Sequence, residues 1–217
     1  PVGTSNTVTT LEDTAYTFTA ADFGFTDPID AASVAGANAL TSVKITTLPG
    51  AGTLQDDGVN VTAGQFVSLA DISAGKLVFT PAADANGAAY ASFTFQVQDD
   101  GGTANAGVDL DTSARTMTVD VTSVNDAPVG TNNTVTTLED TAYTFTAADF
   151  GFTDPIDAGS VAGANALTAV KITTLPGAGT LQDNGVNVTA GQFVSVADIN
   201  SGKLVFTPAA NANGAGY

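Results

Sequence analysis

The stretch Phe93-Thr94-Phe95-Gln96-Val97 alternates apolar and polar residues, and Asp99-Asp100-Gly101-Gly102 follows it directly. Alternation at period two is typical of a β-strand with one face in a core and the other in water. The same alternation recurs in short runs at residues 7–10, 16–19, 43–46, 77–80 and 117–121. Clusters of Gly, Pro, Asn and Asp separate these runs, and helical periodicity is nearly absent. The pattern predicts an all-β fold.

The sequence is an internal tandem repeat. Residues 1–90 recur at 128–217, an offset of 127 positions, and only nine of these 90 positions differ. Self-similarity at a fixed period marks a tandem array, and this period has the size of a whole domain. We therefore predict a complete repeat at residues 1–127 and a second, near-identical repeat at 128–217. For each repeat the short strands favour an antiparallel β-sandwich with Greek-key connections, and a barrel is the alternative.

The second repeat is incomplete in this sequence, because it ends at Tyr217, the counterpart of Tyr90. It has no counterparts of the apolar strand residues Phe93, Phe95, Val97, Met117, Val119 and Val121. Six fully buried side chains of this kind contribute on the order of 10 kcal/mol, which rivals the roughly 5–15 kcal/mol of a whole domain. Two explanations stay open: the sequence is a fragment of a longer chain, or strands from a neighbouring chain complete the repeat, as in donor-strand addition.

Charge and composition exclude several classes of function. The chain carries 22 acidic and 5 basic residues, for a net charge of −17. This balance argues against binding to nucleic acid or to an anionic membrane surface, and it favours cations as partners. There is no Cys, His or Trp, so neither disulfides nor histidine chemistry is available. No apolar run approaches the roughly 18 residues of a membrane span, and the composition fits an exported bacterial protein.

The acidic residues cluster where the predicted strands end. Calcium takes six to eight oxygen ligands, mostly carboxylates and carbonyls supplied by loops. Asp-rich turns can supply such ligands, although Asp also forms ordinary solvated turns. The clusters of the first repeat and the linker are Glu12-Asp13, Asp27 with Asp30, Asp99-Asp100, and Asn125-Asp126. Their counterparts in the second repeat are Glu139, Asp140, Asp154 and Asp157.

Several short motifs carry a resemblance to a known family. They are Leu-Glu-Asp-Thr at 11–14, Thr-Asp-Pro at 26–28, Phe-Gln-Val-Gln-Asp-Asp-Gly-Gly at 95–102, and Val-Asn-Asp-Ala-Pro at 124–128. The pattern resembles the cadherin-like tandem repeats of very large bacterial surface proteins, including RTX-type adhesins and biofilm proteins. In that family the repeats are Ig-like sandwiches strung end to end, calcium stiffens the joints, and the exported protein extends an adhesive tip.

The resemblance also implies which residues hold calcium. The joint between the two repeats would use Glu12, Asp13, Asn125, Asp126, Asp154 and Asp157. The joint before the first repeat would use Asp27, Asp30, Asp99 and Asp100, and the metal residues also include Glu139 and Asp140, the counterparts of Glu12 and Asp13 in the second repeat. True cadherins carry an extra Asp ahead of the linker Asn and an Asn after the linker Asp, and Thr122 and Ala127 stand near those places here. The number of ions per joint therefore stays open.

We expect an extracellular, calcium-stiffened structural extender of a secreted or cell-surface bacterial adhesin, with neighbouring repeats as its partners. Two alternatives remain: a self-assembling extracellular filament subunit completed by strands of another copy, and a sugar-binding adhesive domain. Catalysis is disfavoured, because Glu12 and Asp13 are adjacent and would point to opposite faces of a strand. We therefore expect no enzymatic activity, no nucleic-acid partner and no membrane insertion.

Overall fold

The computed structural model describes residues 1–34, 36–160 and 162–217. The described chain is all-β, with short strands in several sheets and only a few short helices. It divides into two compact units. Unit 1 comprises Pro1–Val124 with Ser160–Ala162, and unit 2 comprises Asn125–Gly159 with Gly163–Tyr217.

Two sheets make up unit 1. Its strands are β1 (Asn6–Leu11), β2 (Tyr16–Thr17), β3 (Leu40–Ile45), β4 (Thr53–Asp56), β5 (Val59–Asn60), β6 (Phe66–Ser68), β7 (Leu77–Thr80), β8 (Gly87–Asp99) and β9 (Arg115–Thr122). One sheet has the order β1-β9-β8-β3-β6 and the other β2-β7-β4-β5. Its helices are α1 (Leu69–Ser73) and the 3₁₀ turns Ala20–Phe23, Asp30–Ala32 and Ala104–Ala106.

Both sheets of unit 1 contribute to one hydrophobic core. The rings of Phe18 and Phe93 lie 5.5 Å apart, and those of Phe23 and Phe95 lie 4.9 Å apart, both edge to face. The alternation of the sequence predicted this core, since the inward phase of β8 and β9 is fully buried: Phe93, Phe95, Val97, Met117, Val119 and Val121.

The prediction of antiparallel pairing is wrong for one strand pair. β1 pairs in parallel with β9, from Asn6 opposite Met117 to Leu11 opposite Thr122, whereas the other ladders of unit 1 are antiparallel. The two strands are the first and the last of the unit, and such distant segments can lie side by side in the same direction without a tight turn. The chain therefore enters unit 1 at one end of this ladder and leaves it at the other.

Unit 2 contains β10 (Tyr143–Thr144), β11 (Ala169–Lys171), β12 (Thr180–Asp183), β13 (Val186–Asn187), β14 (Phe193–Ser195) and β15 (Leu204–Thr207). Its helices are α2 (Val196–Asn200) and the 3₁₀ turns Ala147–Phe150 and Asp157–Gly159. β10-β15-β12-β13 form one sheet, and β11-β14 form another. Its core is Val188, Val194, Ile199 and Leu204. Across the described parts of both units, no helix has the length and apolarity to cross a membrane.

Candidate metal centre

Three carboxylates converge at the end of unit 1 where the chain enters. Asp27 precedes the 3₁₀ turn Asp30–Ala32, and Asp99 is the last residue of β8. Ligand oxygens of Asp27, Asp30 and Asp99 all lie within 4.8 Å of one another. Asp27 and Asp99 are only 5% and 4% exposed. Like charges this close and this buried repel one another strongly unless a cation compensates them.

Backbone and amide donors hold one oxygen of each buried carboxylate. The Asn38 backbone N–H donates to Asp27 Oδ2 at 2.8 Å, its side-chain amide donates to Asp30 Oδ2 at 3.2 Å, and the Gly101 N–H donates to Asp99 Oδ1 at 3.0 Å. The hydrogen bond from Asn38 holds the pKa of Asp27 below its ordinary value, and the nearby amino-terminal charge of Pro1 acts in the same direction. Asp27 is therefore a carboxylate at neutral pH.

The remaining oxygens of this pair have no hydrogen-bond partner in the described structure. Asp27 Oδ1 and Asp99 Oδ2 are both buried and unsatisfied. The amino-terminal ammonium of Pro1 lies 3.5 Å from Asp27 Oδ1 and 3.4 Å from Asp99 Oδ2. These distances are too long for good hydrogen bonds but bring a positive charge close to both oxygens.

Asp100 does not join this cluster. Its Oδ1 accepts a hydrogen bond from the Ala39 backbone N–H at 2.8 Å, and the residue is exposed. Successive side chains at the end of a strand point to opposite sides, so Asp99 and Asp100 separate although they are adjacent. Of the predicted pair, Asp99 therefore lies in the acidic cluster and Asp100 lies in the neighbouring loop.

Unit 2 repeats the part of the arrangement formed by Asp27 and Asp30, and the linker residues hydrogen-bond to it. Asp154 and Asp157 are 5% and 4% exposed. The Asn165 backbone N–H donates to Asp154 Oδ2 at 2.6 Å, and its side-chain amide donates to Asp157 Oδ2 at 2.9 Å and to Asn125 Oδ1 at 2.7 Å. The Asp126 backbone N–H also donates to Asp157 Oδ2, at 3.1 Å. Two predicted linker residues and two predicted acids therefore lie together in one unit.

The donor set of these clusters fits a hard divalent cation such as calcium. Asp154 Oδ1 is buried without a hydrogen-bond partner in the described structure, as is its counterpart Asp27 Oδ1. In unit 2 the proline at the corresponding place, Pro128, follows Ala127 in the chain, so its nitrogen carries no charge and no proton. A buried, unpaired carboxylate oxygen is costly without a cation. Carboxylate and amide oxygens are the ligands that calcium prefers.

Glu12 and Asp13 lie at the other end of unit 1, where the chain leaves it. Glu12 is 4% exposed. Its Oε1 accepts a short hydrogen bond from the Val124 backbone N–H, and its Oε2 accepts one from the Asn86 amide at 2.8 Å. Asp13 Oδ1 accepts from the Asp84 backbone N–H at 3.0 Å. The buried Glu12 is thus tied to the residue that directly precedes the Asn125-Asp126 pair in the sequence.

The counterparts in unit 2 keep part of this arrangement but are exposed. Glu139 Oε2 accepts from the Asn213 amide at 2.9 Å, and Asp140 Oδ1 accepts from the Asn211 backbone N–H at 2.8 Å. Both acids are open to solvent. Exposed carboxylates are easily screened by water and salt, so their arrangement alone says little about a metal.

Sequence reasoning missed two groups of residues in unit 1. One is Asn38, which organises the acid cluster but belongs to no recognised motif. The other is the buried ion pair of Asp111, 2% exposed, with Arg115. Asp111 Oδ2 accepts from the Gly3 N–H and Arg115 Nε, both at 2.9 Å. Burial pushes the pKa of Asp111 upward, but the hydrogen bonds from Arg115, Gly3 and Ser113 outweigh it and lower the pKa.

No protein-family model, no curated protein and no solved structure matches this chain. The clearest geometric feature is a pair of acids, Asp27 with the half-buried Asp30 and Asp154 with Asp157, that recurs in the two units with the same asparagine partner.

Proposed function

We propose that this chain is a calcium-binding structural extender, built from cadherin-like Greek-key β-sandwich repeats of a secreted or cell-surface bacterial adhesin. The observation that carries the proposal is a buried oxygen without a hydrogen-bond partner at the same position of both units, Asp27 Oδ1 and Asp154 Oδ1. In each unit it lies on a carboxylate that shares one asparagine with a second carboxylate. Such an oxygen is costly in free energy unless a cation binds there. Asp56 Oδ1 and Asp183 Oδ1 are also unpaired in both units, but a lysine interacts with each of these carboxyls.

The residues that would hold calcium lie at these clusters. In unit 1 they are Asp27, Asp30 and Asp99, whose oxygens converge. In unit 2 they are Asp154 and Asp157 with the linker residues Asn125 and Asp126, which hydrogen-bond to the cluster. We include Glu12 and Asp13 in the proposal because Glu12 accepts a hydrogen bond from Val124, the residue directly before Asn125 in the sequence. Bound calcium would supply positive charge that cancels the mutual repulsion of these carboxylates.

The chain's own residues explain why calcium would act on mechanics rather than on catalysis. Without an ion, carboxylates such as Asp154 and Asp157 would repel one another, which would oppose the hydrogen bonds of Asn125 and Asp126 to this cluster. Calcium held by these residues would supply positive charge and would strengthen the attachment of the linker. Extracellular calcium modules typically bind at roughly 10⁻⁴–10⁻³ M. An extender of this kind would be loose at low cytoplasmic calcium and would stiffen outside the cell.

The alternatives have less support. A cavity of about 590 Å³ adjoins the cluster of unit 1, and its lining includes Ile29, Asn38 and Arg115. The described lining contains no aromatic side chain, whereas sugar sites usually present exposed aromatic rings. Such rings do line a cavity of about 550 Å³ in unit 2, including Tyr143, Phe206 and Tyr217.

Calcium titration of the 217-residue chain tests the proposal, with melting temperature and solution-scattering length as the two readouts. At about 100 times the dissociation constant, a ligand stabilises the folded state by about 2.7 kcal/mol. We expect Asp154→Asn to abolish most of the calcium-dependent rise in melting temperature of unit 2. Asp100→Asn serves as the matched control, because Asp100 lies outside the cluster, and it should leave the rise intact.

Two results would contradict the proposal. One is an equal melting temperature and an equal particle length with calcium and with a chelator. The other is a calcium response that Asp154→Asn and Asp100→Asn change to the same extent, which would indicate unspecific screening of a chain with a net charge of −17. Sodium chloride at matched ionic strength separates screening from ligation.

A further inference from the structure

The sequence contains three Asn-Gly dipeptides, and the structure distinguishes them. The side-chain amide of Asn86 donates to Glu12 Oε2 at 2.8 Å, and that of Asn213 donates to Glu139 Oε2 at 2.9 Å. Asn184 is exposed, and within the described chain its side chain makes no hydrogen bond. Of these three asparagines, Asn184 is therefore the one whose side chain can rotate without breaking a hydrogen bond.

Asn184 and Gly185 are the two loop residues of the β12–β13 hairpin, since Asp183 pairs with Val186. Both have positive φ angles, 51° and 78°, as Asn-Gly hairpin turns require. The Asn184 backbone N–H donates to the Lys203 carbonyl at 3.1 Å. The Gly185 N–H has no such acceptor in the described structure and lies in an exposed turn. The nitrogen next to the free amide is thus unprotected.

We propose that Asn184-Gly185 is a site of spontaneous deamidation. The Gly185 backbone nitrogen attacks Asn184 Cγ and forms a C–N bond, while the C–Nδ2 bond breaks and ammonia leaves with the proton of the Gly185 nitrogen. Water then adds to one of the two carbonyl carbons of the succinimide ring and opens it, giving aspartate or isoaspartate. Glycine has no Cβ to obstruct this approach, and water is the sole co-reactant.

Unit 1 has an aspartate, Asp57, in the sequence at the corresponding turn, so it shows how this turn accommodates the aspartate that deamidation would form. Asp57 and Gly58 have φ angles of 52° and 77°, and Asp57 Oδ2 lies 3.5 Å from Lys76 Nζ. The counterpart lysine of unit 2, Lys203, pairs with Asp198 at 2.7 Å. Conversion to aspartate would give Lys203 a second carboxylate and would add one negative charge to the chain. Isoaspartate would instead lengthen the two-residue turn by one backbone carbon and strain the hairpin.

The test is incubation of the 217-residue chain in warm, mildly alkaline buffer, followed over time by peptide mass mapping. A parallel sample in urea gives the rates in the unfolded chain. In the folded chain we expect Asn184 to convert several-fold faster than Asn86 or Asn213, and we expect urea to reduce this difference. Ion-exchange chromatography should resolve the same product as a species with one additional negative charge.

The variant Asp57→Asn is the matched control, because it creates the same Asn-Gly turn in unit 1. It should add a second fast site at residue 57 and leave the rate at residue 184 unchanged. The proposal is overturned if Asn184 stays intact in the folded chain while it converts in urea. Equal rates at the three native dipeptides in the folded chain, or an inert Asn at position 57, would also overturn it.

Discussion

The two units share 81 of 90 aligned residues, yet the same segment folds differently in each. Residues 7–11 belong to β1 and pair with β9, whereas residues 134–138 carry no strand. Val8 is 6% exposed and Glu12 is 4% exposed; their counterparts Val135 and Glu139 are half-buried and exposed. Local sequence therefore does not make this strand. Its partner, more than 100 residues away, does.

Other elements form in both units because their partners lie within the shared 90 residues. The pairs β4–β7 and β12–β15 have matching registers, and α1 and α2 occupy matching positions. Each of these helices begins at a serine whose hydroxyl accepts the N–H of an Asp three residues later, at 3.0 Å in both units. Elements whose pairing partners and caps lie nearby thus form in both copies of the sequence, whereas a ladder with a distant partner does not.

The largest expected effect comes from supplying the missing partner. In a chain where residues 91–127 are repeated after Tyr217, we expect residues 134–138 to pair and their amides to gain protection from hydrogen exchange. Six additional buried apolar side chains should raise the stability of unit 2 by on the order of 10 kcal/mol. An appended Gly/Ser segment of equal length is the control. If the amides of residues 134–138 exchange equally fast in both extended chains, the difference between the units has another cause.

The next largest effect on stability is expected at Glu12, compared with its counterpart Glu139. Glu12→Ala leaves the Val124 N–H and the Asn86 amide without their acceptor, and each hydrogen bond to a charged group contributes about 1.5–3 kcal/mol. Glu139→Ala removes an exposed acid and should change little. Hydrogen exchange of unit-specific peptides in calcium-free buffer measures both. Equal losses in the two variants would contradict the structural difference.

A smaller effect is expected for the paired valines. Val8→Ala removes two methyl groups from a buried site, for a loss of about 1.5 kcal/mol at about 0.8 kcal/mol per group. Val135→Ala removes them from a half-buried site and should destabilise its unit less. Denaturant unfolding, read by hydrogen exchange in each unit, gives the two values. A larger loss at Val135 would show that unit 2 buries this segment in solution.

The smallest effect concerns Asp56, whose Oδ1 is buried without a hydrogen-bond partner in the described chain. Burial raises its pKa, the neighbouring Asp71 and Asp57 raise it further, and Lys76 offsets part of the rise. Because the folded state favours the protonated form, its stabilising contribution is complete below the ordinary pKa of about 3.9. That contribution is lost as the pH rises through the raised, folded value.

Asp56→Asn should therefore stabilise unit 1 slightly at neutral pH and remove this pH dependence. The matched variant, Asp183→Asn, should gain less, because Asn184 replaces the acid that stands beside Asp56 in unit 1. Thermal unfolding between mildly acidic and neutral pH measures the difference. Destabilisation by Asp56→Asn at neutral pH would show that this carboxylate has a favourable partner in solution.

The sequence predicted features that depend on nearby residues. Alternation predicted Phe93 and Phe95 as core residues, and the family resemblance grouped Asp27 with Asp99, whose carboxylates lie together in the structure. It did not predict the parallel direction of β1, because no local pattern encodes which distant strand lies alongside. The same limit hid the Asp111 ion pair, whose hydrogen bond from Gly3 spans 108 positions.

The parallel pairing of β1 with β9 has a mechanical consequence. When unit 1 is pulled at Pro1 and Val124, tension runs along a six-residue ladder whose strands point the same way. The load then acts in shear on all hydrogen bonds at once, instead of opening them one after another like a zipper. Rupture under force follows the height of the unfolding barrier rather than the equilibrium stability. A unit of modest thermodynamic stability can therefore withstand strong, brief pulls.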